Sequence, residues 1–125
     1  MEKVLDLVLI GKWYDLIADG IKREEYRALT AYWCNRLFLD SNYKPLGQKE
    51  WNSILSGCVL EAAFETAVEG SMIDKTLTIP THVRFRRGYT SISMTYKIES
   101  ITIGLGKSEW GAGADPCFII KFNRI

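Results

Sequence analysis

Charged residues able to do chemistry lie close together early in the chain. After Gly20, the sequence places Lys22, Glu25 and Arg27 in the pattern Gly-x-Lys-x-x-Glu-x-Arg. Desolvation would lower the pKa of such a lysine and make it a base or a nucleophile, whereas pairing with the glutamate would keep it charged. Because other charged residues surround the pair, we favour a charged lysine that clamps a ligand. A solvated face and a structural ion-pair network are the alternatives.

A second basic cluster lies in the C-terminal third. Arg84, Arg86 and Arg87 come just before Tyr89. Guanidinium groups bind phosphates through two parallel hydrogen bonds, and an aromatic ring can stack on a base. We therefore predict that Arg84, Arg86 and Tyr89 bind ligand. The alternative is that the arginines form the solvent face of an edge strand, where positive charge discourages pairing with another chain.

A glycine-rich segment at residues 104–113 carries Glu109 and Trp110. Its glycines would let the segment close over a base, with Trp110 as a stacking platform. If the protein is an enzyme, Glu109 is the candidate second acid or base. The alternative is a flexible hairpin end with a packed tryptophan. Trp13 is expected to anchor the first helix in the core rather than to contact ligand.

These patterns together resemble the ASCH domain family, whose fold resembles the PUA barrel. The resemblance covers residues 4–37 and 82–122, whereas residues 43–80 fall outside it. We therefore predict a single ASCH-like domain over residues 1–125, with residues 43–80 as an insertion. Besides Gly-x-Lys-x-x-Glu-x-Arg, the matching segments are Leu-Ile-Gly-Lys-Trp-Tyr-Asp-Leu-Ile-Ala-Asp-Gly, Tyr-Trp-Cys-Asn-Arg-Leu, Val-Arg-Phe-Arg-Arg-Gly-Tyr and Gly-Lys-Ser-Glu-Trp-Gly.

The resemblance implies a β-barrel with a cleft beside the first helix, whose floor residues 20–27 would line. ASCH proteins are expected to bind RNA or nucleotide-like ligands, and a few are amidohydrolases that deacetylate N4-acetylcytidine. By this resemblance, Lys22 and Arg27 would contact anionic or carbonyl groups, and Glu25 would orient Lys22 or the substrate. The hydrolytic members are expected to carry threonine where this chain has Glu25, so the chain departs from their pattern there.

Hydrophobic periodicity predicts the elements that would position these residues. Apolar residues at helical spacing predict helices before Gly20, after the N-cap Thr30, before Gly57 and before Gly70. Period-two alternation and a buried run predict strands at residues 4–10, 82–86, 91–98 and 117–122. The first strand is expected at the centre of the sheet. A hairpin is predicted at residues 87–90, and a bulge near Glu99 and Ser100 where the alternation slips.

The predicted fold class is α+β: a small mixed β-barrel of PUA-like (ASCH) type, with two N-terminal helices and a partly helical insertion. A length of 125 residues suits one domain, and a hydrophobic content of 47% is enough for a core. With 16 basic and 15 acidic residues, the net charge is +1. This balance excludes bulk electrostatic attraction to nucleic acid or membrane, so any phosphate affinity must come from local clusters.

Cysteine and histidine usage argues against a metal site. The three cysteines are far apart and form no CxxC pair, and His82 is the single histidine. We expect reduced thiols in a cytoplasmic protein, without a metal or cofactor. The apolar run at residues 4–10 is too short for a membrane span and lacks the features of a signal peptide.

The leading hypothesis is nucleotide or single-stranded RNA binding by an ASCH-like cleft. Its ligand-binding residues would be Lys22, Arg27, Arg84, Arg86, Tyr89 and Trp110. One alternative is an amidohydrolase acting on acylated nucleosides such as N4-acetylcytidine, with Lys22, Glu25 and Glu109 as its catalytic residues. A second alternative is a protein-interaction module in which residues 43–80 present Trp51 and Phe64 to a partner.

Overall fold

The chain folds into two compact units, as a computed structural model that describes residues 2–124 shows. The first unit combines the chain up to residue 27 with the chain from residue 81 onward. The second unit is Ala28–Pro80. Within the described residues, the first unit contains every strand of the sheet, one α-helix and a short 3-10 helix, and the second contains three α-helices. Among the described residues, no helix has the length and apolar character needed to cross a membrane.

One mixed sheet curls into a half-barrel in the first unit, so the fold class is α+β. Its strands are β1 (Val4–Leu9), β2 (Glu24–Arg27), β3 (His82–Arg87), β4 (Ser93–Gly104) and β5 (Cys117–Asn123). They lie side by side in the order β1-β3-β4-β5-β2. β1 and β3 are parallel, and the other neighbours are antiparallel. The mixed, curled sheet confirms the predicted architecture at this level.

β1 is a strand as predicted, but the prediction of a central position is wrong because β1 lies at an edge of the sheet. Leu5, Leu7 and Leu9 are buried, whereas Asp6 and Val8 are exposed. Only one face of the strand is therefore covered. The apolar Val8 on the outer face made the run resemble a strand that is buried on both sides.

The helix α1 (Gly11–Ala18) ends in a Schellman motif. This confirms the prediction that the helix ends at Gly20. Gly20 has a φ of 77°, and its N–H donates to the carbonyl of Ile17. The N–H of Ile21 donates to the carbonyl of Leu16. This pair of hydrogen bonds satisfies carbonyls at the helix end and reverses the chain. The reversal leads the chain directly into Lys22 and β2.

An aromatic cluster forms the core on the inner face of the sheet. Phe85 is fully buried, with its ring centroid 5.9 Å from that of Tyr96 and 4.9 Å from that of Phe122. The predicted bulge is confirmed between Ile98 and Ser100. It corrects the slip in alternation, because Ile101 and Ile103 after it lie opposite the fully buried Ile120 and Phe118 and so share their inner face.

The second unit contains α2 (Ala31–Leu37), α3 (Gln48–Ile54) and α4 (Glu61–Asp74). The predicted cap of α2 is confirmed, because the side chain of Thr30 accepts a hydrogen bond from the N–H of Trp33 at 3.3 Å. The predicted end of α4 at Gly70 is wrong, because the helix continues to Asp74. Gly70 has helical φ, so it does not act as a cap there, and buried Ser71 extends the packed side of the helix.

The second unit does not present the aromatic residues that the interaction hypothesis requires. Trp51 is fully buried and Phe64 is nearly so. Their rings are therefore part of the core, and their predicted exposure to a partner is wrong. The exposed large apolar residues of this unit are instead Val59, Leu60 and Ile73, together with the half-exposed Tyr32.

The aromatic cluster should dominate the stability of the sheet. Phe85→Ala removes a fully buried ring and leaves a cavity, so we expect the free energy of unfolding to fall by about 3–5 kcal/mol. Tyr89→Ala is the matched control, because this ring is 97% exposed and its loss should change stability by at most about 0.5 kcal/mol. Urea titration measures both values. Equal stabilities of the two variants would contradict this description of the core.

Candidate ligand-binding site

A buried lysine lies at the centre of the site. Lys22 is only 1% exposed. Its ammonium group donates to the main-chain carbonyl of Trp110 and lies 3.2 Å from Oε1 of Glu25. The same Nζ atom lies 5.3 Å from the ring centroid of Trp13 and 4.8 Å from that of Tyr26, within cation–π distance. This part of the charge run is therefore not a solvated face.

Glu25 joins two cations into a buried triad, defined as Lys22, Glu25 and Arg27. Its Oε1 accepts from Lys22 and from the backbone N–H of Tyr26, and its Oε2 lies 3.0 Å from Nη1 of Arg27. The side chain of Arg27 is 18% exposed, so the triad reaches the surface at this residue. Within the triad, two cations share one carboxylate.

Burial lowers the pKa of Lys22, and the neighbouring Glu25 carboxylate opposes this change. A lowered pKa is the direction that a general base at neutral pH requires. However, the side chain of Lys22 has no exposed surface, and its ammonium group already has a carboxylate and a carbonyl as partners. This geometry favours a charged lysine that holds its surroundings together over a free amine.

The register of β2 explains why the triad forms on one face. Glu25 pairs with Ile120 and Arg27 with Phe118, and both of these β5 partners are fully buried on the inner side of the sheet. Tyr26 lies between them and therefore points to the other face. Alternation along a four-residue strand thus places the carboxylate and the guanidinium together.

Tyr26 anchors the glycine-rich segment on the outer face. Its ring packs with Cys117, Ile119, Trp110 and Ala112. Its hydroxyl accepts a hydrogen bond from the N–H of Lys107 at 3.0 Å and lies 2.9 Å from Oε1 of Glu24. Burial raises the pKa of Tyr26, so the hydroxyl stays protonated and can donate to Glu24.

The glycines of this segment serve close packing. A Cβ atom at Gly106 would lie 2.6 Å from Cε1 of Tyr26, and one at Gly111 would lie 2.9 Å from Cζ2 of Trp13. Gly111 also has a φ of 98°, which other residues rarely adopt. The segment, with a short 3-10 helix at Ser108–Trp110, therefore lies directly against the two rings. Trp110 is held beside the triad as a result.

A cleft of about 380 Å³, which we name the edge cleft, contains the exposed end of the triad. This volume lies in the range of small-molecule sites. Its lining comes from both edge strands of the half-barrel and from two tryptophans: Val8, Leu9, Ile10, Trp13, Glu25, Tyr26, Arg27, Trp110 and Gly111. Edge strands carry backbone N–H and C=O groups that can bind a further partner.

Cations stand over both tryptophans of the edge cleft. Nζ of Lys12 lies 4.5 Å from the ring centroid of Trp13, and Nζ of Lys107 lies 4.3 Å from that of Trp110. Trp13 was predicted to anchor the first helix in the core rather than to contact ligand, but it is only partly buried and also lines the cleft. The sequence signal for it is a lysine close to each tryptophan, as Lys12-Trp13 and Lys107-Ser-Glu-Trp110.

The structure does not bring the second predicted cluster to this site. Arg84 lies opposite Asp6 in the sheet register and binds its carboxylate through two hydrogen bonds, of 2.6 and 3.0 Å. That pairing raises the pKa of Arg84. Arg86 shares the face of Arg84, opposite to that of the buried Phe85. The edge cleft is lined by neither arginine.

The two remaining predicted residues are exposed. Tyr89 lies in the hairpin between β3 and β4, and Glu109 lies in the 3-10 helix. Neither lines the edge cleft. Arg87, the third arginine of the cluster, binds Asp15 of α1 through two hydrogen bonds of 3.1 Å. Of the predicted site residues, the structure thus assembles Lys22, Glu25, Arg27 and Trp110.

No family model, curated protein or solved structure matches this chain. Within residues 2–124, no group of three or more histidine, cysteine, aspartate or glutamate residues is arranged to hold a metal ion. The site is thus defined by its own geometry: a cleft between two sheet edges, two tryptophans and a buried triad in which two cations share one carboxylate.

The pKa of Lys22 gives the site a measurable pH dependence. Because burial lowers this pKa below its ordinary value of 10.5, the folded chain releases the proton at a lower pH than the unfolded chain. Between the two pKa values the unfolded state binds more protons, so the free energy of unfolding rises with pH. We expect the wild type to gain stability relative to Lys22→Met as pH rises towards 10.5.

Urea titrations of both proteins at several alkaline pH values measure this effect. Subtracting the Lys22→Met values removes the contribution of the tyrosines, which the two proteins share. A stability difference that stays constant or shrinks over this pH range would contradict the burial of a charged Lys22.

Proposed function

We propose that this chain is an ASCH-like module that binds a nucleotide, or a nucleotide within single-stranded RNA, in the edge cleft. The observation that carries the proposal is the buried triad, which reaches the surface at Arg27 in a cleft that two tryptophans also line. Such a combination suits a ligand with a flat ring and an anionic or carbonyl group. A nucleotide has both.

The guanidinium of Arg27 supports an anionic or carbonyl group in the ligand. Arg27 is oriented by its bond to Glu25 and by its hydrogen bond to the carbonyl of Tyr26 at 2.8 Å. A guanidinium held in this way loses little further conformational freedom when it meets a ligand. The carboxylate of Glu25 is shared between Lys22 and Arg27, so one group positions both cations.

The two tryptophans support a flat ring in the ligand. Base stacking on an aromatic side chain contributes about 1–3 kcal/mol per base and depends little on base identity. Trp13 and Trp110 both line the edge cleft. The adjoining edge strands supply backbone groups for the polar edge of a base, which provides a source of selectivity that stacking lacks.

The ASCH-like assignment is supported by the position of the Gly-x-Lys-x-x-Glu-x-Arg segment. It follows α1 directly, and its Glu25 and Arg27 line the cleft, as the resemblance implies. We further propose a cytoplasmic location, since Cys34, Cys58 and Cys117 are all free thiols and suit a reducing compartment.

Removal of Arg27 should weaken ligand binding. We expect Arg27→Gln to lower the affinity for ribonucleoside 5′-monophosphates by about tenfold, because a charged hydrogen bond to the ligand is lost. The matched control is Arg84→Gln, which removes a guanidinium that the sequence also predicted to bind but that is engaged by Asp6. Isothermal titration calorimetry with the four monophosphates measures both, and thermal melting verifies that each variant folds.

An unchanged affinity in Arg27→Gln, together with a weakened one in Arg84→Gln, would show that the ligand binds instead at the face of β3 that carries Arg84 and Arg86. The absence of binding by any of the four monophosphates or by short single-stranded RNA would refute the proposed function as a whole.

One observation favours the amidohydrolase alternative: burial lowers the pKa of Lys22 beside a carboxylate. Hydrolysis also requires that the amine reach the substrate, and the Lys22 side chain has no exposed surface. We therefore expect no deacetylation when the wild type is incubated with N4-acetylcytidine and the products are separated by chromatography. Turnover that is present in the wild type and lost in Lys22→Met would establish the alternative.

A further inference from the structure

A second cavity adjoins the edge cleft and shares one residue with it. This outer groove, of about 740 Å³, is lined by Gly20, Ile21, Arg23, Glu24, Glu99, Lys107, Trp110, Lys121, Phe122 and Asn123. Trp110 lines both cavities. We propose that the outer groove is a phosphate-binding site for phosphates linked to the nucleoside in the edge cleft. This inference rests on the proposed function.

The charges of the outer groove support an anionic ligand. Three cationic side chains face two carboxylates, and both carboxylates have partners within the protein. Glu24 lies 2.9 Å from the hydroxyl of Tyr26, and Glu99 accepts from the side-chain amide of Asn123 at 3.0 Å. The cations are Arg23, Lys107 and Lys121.

Two of these cations are available to a ligand. Arg23 makes a long hydrogen bond of 3.4 Å to the carbonyl of Gly20, and Lys107 lies over the ring of Trp110. Within residues 2–124, neither has a carboxylate within 4.0 Å, whereas Lys121 lies 3.9 Å from Glu24. Exposed cations without a carboxylate partner can bind phosphate without first breaking an ion pair.

Trp110 connects the edge cleft and the outer groove, because it lines both cavities. A base stacked on Trp110 in the edge cleft would have its sugar and phosphate near this ring, and Nζ of Lys107 lies 4.3 Å from the ring centroid. The groove is nearly twice as large as the cleft, so it has room for more than one phosphate group. Linked phosphates occur in nucleoside triphosphates and in an RNA strand, and the experiment separates these two sources.

The experiment compares ligands that differ only in their phosphates. Wild type, Lys107→Gln and Arg23→Gln are titrated with the four nucleosides, their 5′-triphosphates, the hexanucleotides U6 and A6, and inorganic triphosphate. Lys3→Gln is the matched control, because Lys3 is exposed in the same unit and lines neither cavity. Both groove residues are exposed, so we expect the variants to fold, and thermal melting verifies this.

We expect each groove variant to bind phosphate-bearing ligands about tenfold more weakly and nucleosides as tightly as the wild type. For the hexanucleotides, the negative slope of log affinity against log salt should become shallower by about 0.7 for each phosphate contact removed. A larger loss for triphosphates identifies a polyphosphate nucleotide as the ligand. A larger loss for hexanucleotides identifies an RNA strand.

Two results would overturn the inference. One is unchanged affinity of both groove variants for triphosphates, hexanucleotides and inorganic triphosphate. The other is an equal loss for nucleosides and for their phosphorylated forms, since the variants would then act on the edge cleft. Inorganic triphosphate keeps this test separate from the proposed function, because it requires no base. If it binds the wild type but not Lys107→Gln, while no nucleoside binds and no nucleotide binds more tightly than inorganic triphosphate, the proposed function fails and the outer groove remains a phosphate site.

Discussion

The burial of one positive charge constrains the rest of the first unit. Removal of an ammonium group from water costs several kcal/mol unless close partners replace the lost hydration. Lys22 obtains these partners from β2 through Glu25 and from the glycine-rich segment through the carbonyl of Trp110. If either partner moved away, a buried charge would lose its compensation. The position of the segment is therefore coupled to the position of β2.

This coupling also determines the recognition surface. Glu25 uses one oxygen for Lys22 and the other for Arg27, so the interaction that stabilises the buried lysine also orients the guanidinium at the edge cleft. Trp110 provides its carbonyl to Lys22, and the same residue lines both cavities. Scaffold and proposed site thus share residues, and a ligand that contacts Arg27 and Trp110 meets groups that are already ordered. Preorganisation of this kind reduces the entropy lost on binding.

Features that depend only on residues close together in the sequence were predictable. The Thr30 cap, the glycine turn at Gly20 and the bulge near Ser100 each arise from local backbone chemistry, and all three occur where the sequence indicates. The edge position of β1 was not predictable in this way. An edge position depends on which strands form hydrogen bonds with β1, and this is a property of the whole sheet. In addition, the apolar Val8 on the outer face obscured the alternation. The continuation of α4 through Gly70 likewise depends on packing, which here outweighs the weak helix propensity of glycine.

By itself, the sequence determined which residues could form the triad. Glu25 and Arg27 are two positions apart, so any strand at this place directs both to one face, and Gly20 provides the turn that brings Lys22 beside them. Only the tertiary structure decided their partners. Trp110 is 88 residues from Lys22, and Asp6, which removes Arg84 from the predicted site, is 78 residues from that arginine. Such contacts depend on the order and register of all five strands, which no local pattern encodes.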